Sequence, residues 1–310
     1  MKSNRTSETS TLLQRMEGVT VALATPLKRD GGLDGKALEQ LIQRVIANGA
    51  ACLFPLGWCG EQPLLSDEVR EQVIRRTCRA AGGKVPVMVG VSEQSLSRAL
   101  RWANLSREAG ADMILATPPY SYPIPQEWVL EFFTELSRQS RMPLVVYQND
   151  EVGVAVKDET IGRLSEAPGI VGIKAFMPYH RLQNAIYRYN RPGRFGVMGA
   201  DEYLYGVGLF LGIRHFTMGG PGNLNMRWCK RMFHHGLAGD WDSVRNEQKG
   251  LVEFCDAVYS VGPSPYPVVK YILHRTGIGT DQMSLPLHPL SAGQKKRVDG
   301  VLKRFRDILD

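Results

Sequence analysis

Lys174 closes the otherwise apolar run Ile170-Val171-Gly172-Ile173, and Tyr147 closes the run Leu144-Val145-Val146. A lysine amine attacks a ketone only when it is neutral. At the reference pKa of about 10.4, roughly one lysine in 2,500 is neutral at pH 7. Apolar surroundings penalise the ammonium, and a pKa brought to ~7–8 leaves a large fraction nucleophilic. Such an amine can form an imine with a carbonyl carbon, and a phenol on a neighbouring strand can move the protons involved. Three further groups follow short apolar runs: Gly57-Trp58-Cys59-Gly60-Glu61, Thr117-Pro118-Pro119-Tyr120 and Gly199-Ala200-Asp201.

These residues meet only if the runs that carry them are strands of one sheet. Short apolar runs alternate with amphipathic stretches, predicting strands at 18–24, 51–56, 85–91, 112–116, 144–147, 170–174, 195–198 and 213–217. Helices are predicted over 33–48, from Ser66, and over 95–109, 126–140 and 158–166. Several strands lack polar alternation, as parallel strands covered on both faces do. Eight strand–helix repeats within residues 16–222 predict a closed (β/α)8 barrel. No G-x-G-x-x-G turn follows the first strand, which argues against an open doubly wound sheet. Barrel enzymes hold their chemistry at the C-terminal ends of the strands, where all the groups above fall. Residues 223–310 read as three or four helices packed on the barrel, and residues 1–15 as a polar, flexible segment.

The 310 residues are 43% hydrophobic and 22% charged, which excludes disorder and fibre. The 38 Lys and Arg exceed the 31 Asp and Glu by 7. That excess is scattered, so no nucleic-acid partner is expected, and it suits an anionic small substrate. Five cysteines without zinc or C-x-x-C spacing read as reduced thiols of a cytoplasmic protein. Neither a membrane span nor a signal-peptide core is expected. His234-His235 reads as a surface pair with no metal, and His215 as structural. Gly219-Gly220-Pro221-Gly222 reads as a tight turn, with an anion contact as the second reading. Val298, Val301, Leu302, Phe305 and Leu309 read as the stripe of a docked terminal helix.

Taken in order, four motifs resemble the dihydrodipicolinate synthase / N-acetylneuraminate lyase family. They are G-x-x-G-E after the second strand, T-P-x-Y after the fourth, V-Y-x-N at the fifth and G-I-K at the sixth. The resemblance runs from about Gly18 to at least Asn223. It implies a class I Schiff-base lyase or aldolase acting on a 2-oxo acid, built as a (β/α)8 barrel and usually a homotetramer. By the same resemblance Lys174 forms the imine with a pyruvate-like carbonyl and Tyr147 is the acid/base relay. The backbone amides of Trp58 and Cys59 hold the substrate carboxylate, and Tyr120 lies at a subunit interface close to the site. No metal or organic cofactor is required, because the protonated imine is itself the electron sink.

The departures are as informative as the matches. Family members that make dihydrodipicolinate usually have two threonines between the glycines, where this chain has Trp58 and Cys59. The amide donors survive that exchange, and the relay hydroxyl does not. Cys59 reads as a packing residue ahead of a reactive thiol. The synthases also place an arginine five residues after the tyrosine to clamp a second carboxylate, and here that residue is Val152. Without the bidentate fork, the lysine-pathway reaction is not expected. Sugar-acid dehydratases, and hydratase-aldolases for aromatic substrates, show related departures. The latter share Y-x-N-x-E, here Tyr147-Gln148-Asn149-Asp150-Glu151. The missing hydroxyl also motivates a different class of function, a barrel that binds a 2-oxo acid without efficient turnover.

Overall fold

The computed structural model describes residues 2–150 and 153–305. Its strands are β1 (Gly18–Ala22), β2 (Cys52–Phe54), β3 (Met88–Gly90), β4 (Met113–Ala116), β5 (Leu144–Asn149), β6 (Ile170–Phe176), β7 (Gly196–Gly199) and β8 (His215–Met218). They form one sheet in the order β2-β1-β8-β7-β6-β5-β4-β3, with every ladder parallel. The two end strands meet where Leu53 pairs with Val87 and its N–H donates to Pro86 O at 3.0 Å. The sheet thereby closes into a barrel.

Helices α1 (Lys2–Arg15), α2 (Gly35–Ala47), α3 (Asp67–Ala81), α4 (Leu96–Glu108), α5 (Gln126–Ser140), α6 (Asp158–Glu166) and α7 (Tyr179–Tyr189) come first. They are followed by α8 (Tyr205–Phe210), α9 (Gly220–Leu224), α10 (Met226–Ala238), α11 (Trp241–Tyr259), α12 (Pro265–Arg275) and α13 (Ala292–Arg304). Strand side chains alternate between the barrel interior and the helical layer, and both destinations are apolar. Val19, Val21, Leu53, Ile114, Val145 and Ile173 are all buried. The stripe Leu38, Leu41, Ile42 and Val45 seats α2 in that layer. Ser66 starts α3 by accepting the Val69 N–H at 3.3 Å, with Asp67 and Glu68 at the positive helix end.

Of residues 1–15, expected to be flexible, 2–15 form α1. Leu13 and, just beyond the helix, Met16 are buried. His215 Nε2 donates to Leu13 O at 2.9 Å, so this histidine is structural and stands at the start of β8, away from the strand ends that carry chemistry. Gly219–Gly222 does not make the expected tight turn; residues 220–224 are helix α9. Within α9, the Asn223 amide donates to Ala22 O at 2.7 Å and accepts the Ala24 N–H at 3.0 Å, fastening the C-terminal helices to β1. The tail supplies four further helices, α10 to α13, with Val298 of the predicted stripe buried. Leu309, Glu151 and Val152 lie outside the described residues.

His235 Nδ1 pairs with Asp240 Oδ2 at 3.1 Å. Among the described residues no group of three or more His, Cys, Asp or Glu side chains could hold a metal ion. Nor is any helix among them long and apolar enough to cross a membrane.

Candidate active site

Lys174 and Tyr147 are register partners on adjacent strands, β6 and β5, near their C-terminal ends. The Lys174 Nζ lies 3.7 Å from the centre of the Tyr147 ring. Both side chains are buried, Lys174 at 6% exposure and Tyr147 at 7%. Burial lowers the Lys174 pKa to about 7, while the charge of Glu202 pulls it back upward. At neutral pH a substantial fraction of this amine is therefore unprotonated, which an ordinary lysine never achieves.

The loop Gly57–Glu61 follows β2, and its hydrogen bonds aim two peptide planes. Gly60 N–H donates to Gly57 O at 3.1 Å, and Glu61 N–H donates to Trp58 O at 3.0 Å. A carbonyl and the next residue's N–H share one rigid plane. The first bond therefore orients the Trp58 N–H and the second the Cys59 N–H. Among the described residues neither of those two amides donates to a backbone carbonyl. Successive N–H groups in such a turn form a concavity suited to an anion. Gly60 is required here, because a Cβ would stand 2.9 Å from Leu23 O.

The Cys59 thiol is buried and pushed up to about 12 by that burial, with Glu202 and Glu61 adding in the same direction and Lys270 opposing them. It is no thiolate at neutral pH and serves packing. The Trp58 ring is half-buried and lies 6.2 Å from the Tyr120 ring at a 56° tilt. Gln94 Oε1 holds the Tyr120 segment, accepting the N–H groups of Tyr120 at 3.1 Å and Ser121 at 2.8 Å. The structure thus gathers Lys174 with Tyr147, and Trp58 with Tyr120.

One residue escaped the sequence reading. The group after β7 was followed only to Asp201, whose carboxylate caps the next turn by accepting the Tyr203 N–H at 2.9 Å. Its neighbour Glu202 is the acid that acts on Lys174. Burial raises the Glu202 pKa, whereas Lys174 and the Gly219 N–H lower it. The Tyr259 hydroxyl lies 3.5 Å from Glu202 Oε1. A Cβ on Gly219 would meet Glu202 Oε1 and Cys59 Sγ at 3.9 Å each, so the two side chains border one space.

The loop after β5 is organised around an arginine from elsewhere in the chain. Arg181 of α7 grips Asp150 through Nη1 at 2.8 and 2.9 Å and Asp158 through Nη2 at 2.8 Å. It also donates to Val156 O at 2.7 Å. Gln148 pairs with Asp150 as well. All of these contacts join residues of the same chain, and the Arg181–Asp150 pair is exposed.

The family model for the dihydrodipicolinate synthetase family matches residues 15–305. The 4-hydroxy-tetrahydrodipicolinate synthase of Aromatoleum aromaticum is 32% identical over 294 residues, 93% of this chain and 97% of that protein. Dihydrodipicolinate synthase from Bacteroides thetaiotaomicron superposes with a TM-score of 0.88 at 28% identity, covering 93% of this chain and 98% of its own. YagE, a prophage protein from E. coli K12 solved in complex with pyruvate, has a TM-score of 0.88 at 20% identity, with 94% and 98% covered.

Proposed function

Because the chain belongs to the dihydrodipicolinate synthetase family of lyases, we propose that it cleaves or dehydrates a 2-oxo acid through an imine on Lys174. The observation that carries this reading is the buried amine with its pKa lowered to about 7, register-paired with a tyrosine at the strand ends. The neutral amine adds to the C2 carbonyl. Tyr147 passes a proton to the departing oxygen, water leaves, and the protonated imine remains. When the substrate carbon–carbon bond breaks, its electron pair flows into that imine to give an enamine. A base takes the proton of the neighbouring hydroxyl, which becomes the carbonyl of the departing aldehyde. Protonation of the enamine and hydrolysis return the amine and release the second product. The amides of Trp58 and Cys59 hold the substrate carboxylate throughout. A protein of this fold is known with pyruvate, which makes pyruvate the first 2-oxo acid to test.

The lysine-pathway synthase reaction is not the principal activity in this reading. At Val152 the support is the sequence alone; beside it, Asp150 occupies Arg181. Replacing a bidentate arginine fork by an apolar residue lowers recognition of a second carboxylate by roughly 10²-fold or more. Condensation of pyruvate with aspartate semialdehyde should accordingly proceed at about a hundredth or less of an ordinary synthase rate. A full synthase rate in a coupled assay would refute this part of the proposal.

Assembly as a homo-oligomer, with Tyr120 at the subunit boundary, belongs to the same proposal. Tyr120 is only half-buried in the single chain, with Trp58 on one side. Light scattering at micromolar concentration should return a dimer or tetramer. A mass of one chain would exclude it.

A further inference from the structure

Glu61 ends the Gly57–Glu61 loop with its backbone in the left-handed region, at φ 57°. Glycine adopts that conformation far more readily than glutamate does. A glutamate at such a position points to a use for its side chain. The carboxylate is buried, with Glu61 1% exposed, and it forms an ion pair with the equally buried Lys270 of α12, 2% exposed. The Lys270 ammonium also donates to Gln282 O at 2.8 Å. Glu61 Oε2 accepts the Ser284 N–H at 2.7 Å. One side chain thus ties the loop after β2 to two segments of the C-terminal region.

Removing two charges from water is expensive, and apolar residues of similar volume often serve stability as well or better. Stability alone gives little reason for the pair, whereas position gives a specific one. The Glu61 N–H bonds the Trp58 carbonyl, and that carbonyl shares its plane with the Cys59 N–H. Lys270 also acts electrostatically on the Cys59 thiol of the same loop.

We propose that the Glu61–Lys270 pair is a positioning strap, which holds the Cys59 N–H in the orientation that receives the substrate carboxylate and makes α12 part of substrate recognition. The proposal rests on the imine and amide roles given above.

The test follows borohydride trapping in the full-length protein with pyruvate and with acetone, a ketone that lacks the carboxylate. In Lys270→Met, half-maximal trapping should need about tenfold more pyruvate or more, with the acetone dependence unchanged within about twofold. A merely structural contribution would weaken both ketones alike. Lys270→Arg, which keeps the charge, should recover part of the pyruvate preference. If Lys270→Met does not fold, Glu61→Gln removes the charge at nearly constant shape and carries the same expectation. A parent protein that traps pyruvate no better than acetone would overturn the amide role and the strap with it. A selective parent whose Lys270→Met and Glu61→Gln variants stay equally selective would overturn the strap alone.

Discussion

Treatment with pyruvate and borohydride should add a single reduced pyruvyl group, and peptide mapping should locate it on Lys174. Lys174→Ala should abolish the adduct and lower turnover by roughly 10⁵-fold or more, the scale on which loss of a covalent nucleophile acts. The trapping rate should also report the amine's protonation. Only the neutral form attacks, so the rate should be low in acid, climb as pH rises through about 7, and then level off. Glu202→Gln removes the charge that favours the ammonium, so the midpoint should move to lower pH. An adduct on another lysine, or activity that survives Lys174→Ala, would contradict the mechanism. So would a midpoint near the ordinary lysine value.

The second large effect is expected at Tyr147. Tyr147→Phe keeps the ring that packs 3.7 Å from the Lys174 amine and removes only the hydroxyl. Proton transfer by a positioned side chain contributes about 10²–10⁴-fold, so the maximal rate should fall within that range. Pyruvate affinity should change little, because the carboxylate is held by the amides of the glycine loop. Single-turnover trapping separates these quantities. A variant that turns over within about threefold of the parent would show that the relay proton comes from elsewhere.

The placement of Lys174 and Tyr147 near the strand ends was legible because it depends on local facts. Two apolar runs, one ending in lysine and one in tyrosine, are consecutive strands of a barrel and so adjacent, and the structure adds the register Tyr147–Lys174. Helices α5 and α6 have the bounds predicted from their periodicity and flanking signals. Strands were read too long where apolar residues continue past the ladder; β3 starts only at Met88, beyond Pro86, which has no N–H to donate. Helix α1 escaped because its outward residues are polar and the few apolar residues that anchor it, Leu13 among them, are too sparse to announce a docked face. Glu202 could not be distinguished from a solvated acid, since what surrounds it comes from β8's following loop and from Tyr259 of α11. The Glu61–Lys270 pair was equally hidden. No local pattern joins a glutamate in a loop to a lysine in the third helix of the tail.

The uneven closure of the barrel has a mechanical consequence. β1 is laddered to β8 through four register pairs and to β2 through three, whereas β2 and β3 share no continuous ladder and meet at the bridge Leu53–Val87 and where the Gly90 N–H donates to Pro55 O at 3.0 Å. β1 is thus held to β8 by a longer ladder than any that joins β2 to β3, its successor in sequence. The Gly57–Glu61 loop, encoded in the first quarter of the chain, is fastened to its last third through Glu61, Lys270 and Ser284. Heating that loosens the tail would blur discrimination among carbonyl compounds while the amine on β6, fully laddered on both sides, still reacts.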